Sequence, residues 1–152
     1  MENFSFTLFQ GQERLVAEKL DIDQILSKPI VLNFWVGQCP PCRAEMPNLQ
    51  ECYKGSQDEA TLLDIDVEQS TGLGSHRDAR NLFNELVITY PAGFTGDGSV
   101  VRKYKVAGMP TTVFINPDGT IFETWSGSLN LEILNRLTDP MIDQAAREQV
   151  PS

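Results

Sequence analysis

Residues 30–42 read IVLNFWVGQCPPC, and this stretch decides the fold. Ile30 to Val36 is an apolar, β-branched run of the kind buried on both faces of a sheet, which predicts a central strand. Gly37-Gln38 leads into Cys39-Pro40-Pro41-Cys42, after which Cys42, Met46, Leu49 and Tyr53 recur every three or four residues, the period of a helix with one apolar face. A C-x-x-C pair therefore stands at a strand-to-helix junction. Cys39 falls at or near the N-cap, where unpaired backbone N–H groups and the helix dipole stabilise a thiolate. Pro41 falls in the first turn, where its missing N–H costs nothing. Cys42, one turn further in, is close enough to attack a mixed disulfide on Cys39. Cys39 reads as the attacking nucleophile and Cys42 as the resolving thiol.

Two other uses of the pair are weaker. A structural zinc site needs about four ligands, and beyond this pair the chain offers Cys52 and one histidine, His76. A purely structural bridge across four residues closes too small a loop to stabilise much. No metal and no organic cofactor are expected. Cys52 reads as a small buried hydrophobe and His76 as a solvated loop residue.

Outward from the pair, Phe4, Phe6 and Leu8 alternate with polar residues, and Leu15 and Val16 follow Gln10-Gly11-Gln12, which predicts an N-terminal hairpin over residues 4–16. Asp21 to Ser27 predicts one or two helical turns ending at Lys28-Pro29. Leu62 to Val67 predicts a second strand and Asp78 to Leu86 a second helix, a β-α-β-α order that favours a parallel sheet. The insertion from Glu68 to Arg77 lengthens the connection between them. Val100 to Tyr104 reads as a short helix. Thr111 to Ile115 and Thr120 to Trp125 predict strands joined through Asn116-Pro117-Asp118-Gly119, strong hairpin-turn chemistry. Leu129 to Leu137 reads as a closing helix broken by Asp139-Pro140. The expected organisation is one domain over residues 1–138 and a polar tail over 139–152, with a helical start to the tail after the break left open: an α/β fold with a mixed central sheet, helices on both faces and an N-terminal hairpin extension.

The 152-residue chain has 41% hydrophobic and 22% charged residues, ordinary globular usage. Twelve basic against 21 acidic residues give a net charge of −9, which opposes binding to nucleic acid or anionic lipid. No stretch approaches the ~20 apolar residues of a membrane span, and Met1 to Gln10 carries no signal-peptide pattern.

Asn33-Phe34-Trp35 before C-P-P-C, Arg43-Ala44-Glu45-Met46-Pro47 after it, and Gly108-Met109-Pro110-Thr111-Thr112 near the hairpin resemble the thioredoxin superfamily, specifically the TlpA/ResA-like thiol:disulfide oxidoreductases. The resemblance runs from about Phe4 to about Leu137. It implies a thioredoxin fold, a redox dithiol at Cys39 and Cys42, and a cis Met109-Pro110 bond facing it. It implies substrate contacts at Gln38, Pro40 and Pro41 on one side and Met109, Pro110 and Thr111 on the other. Thioredoxin itself has a buried aspartate six residues before the first cysteine, where this chain has Asn33. The TlpA/ResA-like branch has asparagine there and a glutamate three residues after the second cysteine, here Glu45. Sharing a helix face with Cys42, Glu45 is the candidate base for deprotonating it. Gln38 departs from the tryptophan that many relatives carry, and Trp35 reads as core more than contact.

The implied activity is exchange of two electrons with cysteines of partner proteins, as a monomeric reductase drawing on an upstream redox partner. In the family this often serves cytochrome c maturation or redox homeostasis outside the cytoplasm, in periplasmic or membrane-anchored proteins. A cytoplasmic thioredoxin-like reductase is the alternative, the location expected if the chain is full length. A thiol peroxidase is disfavoured because Val36 stands where a P-x-x-x-T-x-x-C pattern needs threonine. A copper chaperone would need wider cysteine spacing.

Overall fold

The computed structural model describes residues 1–15, 17–36, 39–67 and 76–148, with the backbone alone at 76–78. In chain order the elements are β1 (Ser5–Gln10), α1 (Gln12–Leu15), β2 (Lys19–Asp21), a 3-10 turn (Ile22–Ile25), β3 (Ile30–Trp35), α2 (Pro40–Ser56), β4 (Thr61–Asp66), α3 (His76–Glu85), β5 (Ala92–Phe94), α4 (Val100–Lys103), β6 (Thr111–Ile115), β7 (Ile121–Ser126) and α5 (Leu131–Glu148). Seven strands form one mixed sheet in the order β2-β1-β5-β4-β3-β6-β7. Strands β3, β4 and β5 run parallel, while β6 joins β3 and β1 joins β5 antiparallel.

All six residues of β3 are buried, as a near-continuous apolar run in mid-sheet requires. Alternation sends Asn33 and Trp35 to one side and Phe34 to the other. Trp35 stacks on Phe83 of α3 with centroids 5.4 Å apart. Phe34 meets Tyr104 at 5.2 Å and Phe4 at 6.0 Å, which closes the second face with the chain's first residues and the end of α4. Burying such a ring contributes roughly 1.5–3 kcal/mol. The expected core role of Trp35 agrees with its complete burial.

Several local expectations differ from the structure. The arm pairing with β1 is Lys19–Asp21, with Phe6 opposite Leu20. Gln12–Leu15 instead forms a helical turn, and Val16 lies outside the described residues. Strand β5 carries no sequence signal because it has three residues and a central glycine. That glycine is required, since a Cβ on Gly93 would collide with the Thr7 carbonyl of β1. Helix α3 starts at His76, two residues before its expected start, and residues 68–75 of the insertion are not among those described.

The largest difference is at the C-terminus, where α5 runs through Pro140 to Glu148. Proline removes one i→i−4 hydrogen bond, but Leu134, Thr138, Met141, Ile142 and Ala145 form one buried stripe across it. The apolar face continues past the break, and packing outweighs the lost bond. Residues 149–152 lie outside the described part of the expected tail.

Val87 ends α3 with φ 54°, an αL position at which a β-branched residue is strained. Its neighbours make the Schellman pattern, with Ile88 N–H donating to the Phe83 carbonyl at 3.0 Å. Val87 is 74% exposed, so its side chain contributes little packing. Val87→Gly is expected to raise stability by about 1 kcal/mol in urea unfolding; an unchanged or lower midpoint would show that the position carries no strain.

Candidate active site

Cys39 and Cys42 are paired as a disulfide with Cα atoms 5.2 Å apart. Cys39 is the N-cap of α2 and its sulfur accepts the Cys42 backbone N–H at 3.3 Å. An N-terminal N–H left without a helical partner thus points at the sulfur that a thiolate would occupy. Pro40 and Pro41 fill the first two helical positions, both exposed, where no backbone donor is lost. Cys39 is 8% exposed and Cys42 1%, so access to the pair is from the Cys39 side.

Across from α2, the Met109-Pro110 peptide is cis, as the resemblance implied. The Met109 carbonyl oxygen lies 3.6 Å from the Cys39 sulfur. Met109 is half-buried, while Pro110 and Thr111 are buried. The Thr111 hydroxyl turns back to donate to the Gly108 carbonyl at 2.7 Å, so this side chain shapes the loop. Gln38 lies outside the described residues. The structure therefore gathers Cys39, Cys42, Pro40, Pro41 and Met109 at one edge and places Thr111 as a support behind it.

Glu45, three residues beyond Cys42, is wholly buried. One of its oxygens accepts the Leu129 backbone N–H at 2.8 Å, and the other has no hydrogen-bond partner among the described residues. Burial raises its pKa to about 8, the Leu129 hydrogen bond opposes the rise, and the nearby Asp64 adds to it. A solvated surface acid is thereby excluded.

Behind it sits a group that the sequence reading missed. Asp64 on β4 is wholly buried and accepts the Tyr90 hydroxyl at 2.7 Å. Burial raises its pKa to about 7 against the opposing hydrogen bonds of Tyr90 and Asn33. Tyr90 is pushed well above its ordinary value, first by burial and then by Asp64. Asn33 stands opposite both Asp64 and Thr112 in the strand register and accepts the Thr112 hydroxyl at 3.0 Å. The signal was present in LLDIDV, where acids at 64 and 66 interrupt a strand that is otherwise apolar. Cys52 is buried beside Thr138, as its apolar reading required. The His76 side chain lies outside the described residues.

The raised carboxyl pKa values have a stability consequence. Glu45 and Asp64 bind protons more tightly folded than unfolded, so their contribution is full below about pH 4 and is lost as pH rises through about 7 and 8. Urea unfolding of the oxidised protein is expected to show stability falling between pH 5 and pH 8.5, on the order of several kcal/mol at most. A flat or rising profile would mean that neither acid is held protonated.

The sequence matches the AhpC/TSA family over residues 3–124. The chain belongs to that family. Within reach of it, the chain is 34% identical over 134 residues to the thiol-disulfide oxidoreductase ResA of Oceanobacillus iheyensis, covering 85% of this chain and 65% of that protein. It thus spans about two thirds of that relative's length. Among solved structures, StoA from Bacillus subtilis superposes with a TM-score of 0.72 at 22% identity, covering 90% of this chain and 96% of that one. The exposed lipoprotein thioredoxin Etrx1 of Streptococcus pneumoniae gives 0.73 at 23%, covering 91% and 99%. These likenesses establish the thioredoxin fold, and the ResA-like resemblance carried by the dithiol segment agrees with them. Among the described residues no helix is long and apolar enough to cross a membrane.

Proposed function

We propose that this protein is a thiol:disulfide oxidoreductase acting on cysteines of partner proteins through Cys39 and Cys42. The observation that carries the reading is the disulfide at the N-terminus of α2, with a backbone N–H donated to the Cys39 sulfur. In the reducing direction the Cys39 thiolate attacks a substrate disulfide, forms a mixed disulfide and releases one substrate thiolate. Glu45 takes the proton from Cys42, whose thiolate attacks the Cys39 sulfur. The Cys39–Cys42 bond forms and the second substrate sulfur leaves with the electron pair, so two electrons pass to the substrate. Met109, Pro110, Pro40 and Pro41 form the surface that receives the substrate chain, and Gln38 is a further substrate contact that the family resemblance implies. Thr111 holds that surface from behind.

The finer reading is a monomeric reductase outside the cytoplasm, periplasmic or membrane-anchored, recharged by an upstream redox partner and serving redox homeostasis or cytochrome c maturation. Its support is the similarity to proteins named ResA and to one described as an exposed lipoprotein. The direction of electron flow is tested by equilibrating Cys39/Cys42 with thiol redox buffers. A reductase is expected at or below about −220 mV, whereas a value near −120 mV would make the protein an oxidant. Hydrogen peroxide turnover separates the thiol-peroxidase reading on the same fold, and Val36 at the threonine position of that pattern speaks against it.

A further inference from the structure

Asp64 does nothing in the exchange steps above, yet it is a wholly buried acid beside the site. It lies on β4 directly opposite Asn33, so the strand next to the untitratable asparagine carries a titratable group at the same level. Its partner is the neutral hydroxyl of Tyr90, at 2.7 Å, and the Tyr90 ring meets edge-on that of Tyr53, 6.1 Å away on α2, the helix that carries Glu45. Neither Asp64 nor Glu45 has a salt bridge among the described residues, and one Glu45 oxygen is left without a hydrogen bond. Two buried carboxyls without a counter-cation cannot both ionise cheaply.

We propose that Asp64 is a positioning residue for the exchange reaction, its carboxyl coupled to that of Glu45 so that the ionised Asp64 strengthens Glu45 as a base and the pair, with both carboxyls ionised, takes up a single proton. This rests on the reading of Glu45 as acceptor of the Cys42 proton. A free thiol titrates near ~8.5, so a carboxylate of ordinary acidity is a poor acceptor for it. A negative charge on Asp64 raises the proton affinity of Glu45 towards that of the thiol, adding to the larger effect of burial. The proton moves from the Cys42 sulfur to the Glu45 carboxylate, and Asp64 stays ionised through the step. The titratable groups on the elements around the pair are Cys39, Cys42 and Tyr53 on α2, Tyr90 from the segment before β5, and Asp66, also buried and on the same side of β4 as Asp64. β3 and β6 contribute only the neutral Asn33 and Thr112.

Carbon-13 NMR titration of the side-chain carboxyls in the oxidised full chain tests the coupling directly. In the wild type, Glu45 and Asp64 are expected to titrate in two overlapping steps, each resonance responding to the other's proton. In Asp64→Asn the Glu45 midpoint is expected to fall by about one pH unit, and the acid limb of mixed-disulfide resolution to move down with it while the plateau rate drops. Tyr90→Phe keeps the acid but removes its hydrogen bond. It should raise the Asp64 midpoint and lower that of Glu45. Independent single-step curves in the wild type overturn the proposal even where Asp64→Asn does not fold. Slow resolution in Glu45→Gln together with an unshifted Glu45 midpoint in Asp64→Asn overturns the role of Asp64 alone. Wild-type resolution in Glu45→Gln overturns the base reading and this inference with it.

Discussion

Replacing Cys42 with alanine is expected to abolish multiple turnover, by at least about a thousandfold, while leaving the first attack intact. Cys39 keeps everything that makes it a nucleophile: the N-cap position, the backbone N–H aimed at its sulfur, and the more open side of the pair. What disappears is the second thiolate, so the mixed disulfide formed by Cys39 has no internal route to resolution. Incubated with a peptide disulfide, the reduced variant should accumulate a one-to-one adduct, seen by non-reducing mass spectrometry and reversed by added thiol. Cys39→Ala should give neither adduct nor turnover, because Cys42 is 1% exposed behind the first helical turn. Adduct formation through Cys42 in that variant, or preferential alkylation of Cys42 in the reduced wild type, would reverse the two roles.

The parts of this molecule legible in the sequence are those whose signal is local and repeated. β3 shows itself as five apolar residues around one asparagine, and α2 by its three-to-four spacing after two prolines. The β6–β7 hairpin is written in Asn116-Pro117-Asp118-Gly119, where Gly119 takes φ 89°. What stayed hidden depends on contacts between distant residues. β5 exists because Gly93 lets β1 approach, and nothing within Ala92–Phe94 announces that. The continuation of α5 past Pro140 depends on partners for Met141 and Ile142 elsewhere in the fold, whereas the local proline rule points the other way.

The site divides along the same line. The cysteines and their helix position follow from spacing alone, and the cis Met109-Pro110 peptide came from the family pattern. Glu45 could be placed on the Cys42 face by helical spacing, but its burial could not, because burial is imposed by the Ser128-Leu129 segment that closes over α2. There the Ser128 hydroxyl donates to the Pro41 carbonyl at 2.7 Å and the Leu129 N–H to Glu45. Asp64 was overlooked because acids at alternate positions of a strand, here 64 and 66, usually mark a solvated face. Here both faces of β4 are covered.

Glu45→Gln is expected to slow resolution of the mixed disulfide about a hundredfold near neutral pH, the lower end of what a positioned base contributes. With a pKa of about 8, wild-type Glu45 is ionised in only about a tenth of molecules at pH 7. The wild-type rate should therefore climb with pH and level off above about 8, as the fraction of competent carboxylate saturates. Glutamine keeps the shape and can still accept the Leu129 N–H, so the fold and the attack by Cys39 are retained. It removes the charge and the proton acceptor together. The variant should lose the limb near pH 8 and follow only the ionisation of Cys42 itself, at a lowered apparent thiol pKa because a neighbouring negative charge is gone. The same substitution removes one of the two groups that make stability fall with pH, so its unfolding profile should be flatter between pH 5 and 8.5 and its stability at pH 8.5 higher than wild type. The kinetic and thermodynamic readouts are independent. A flatter stability profile with unchanged resolution kinetics would leave Glu45 as a buried protonated acid without a part in the reaction, and the proton of Cys42 would have to leave by another route.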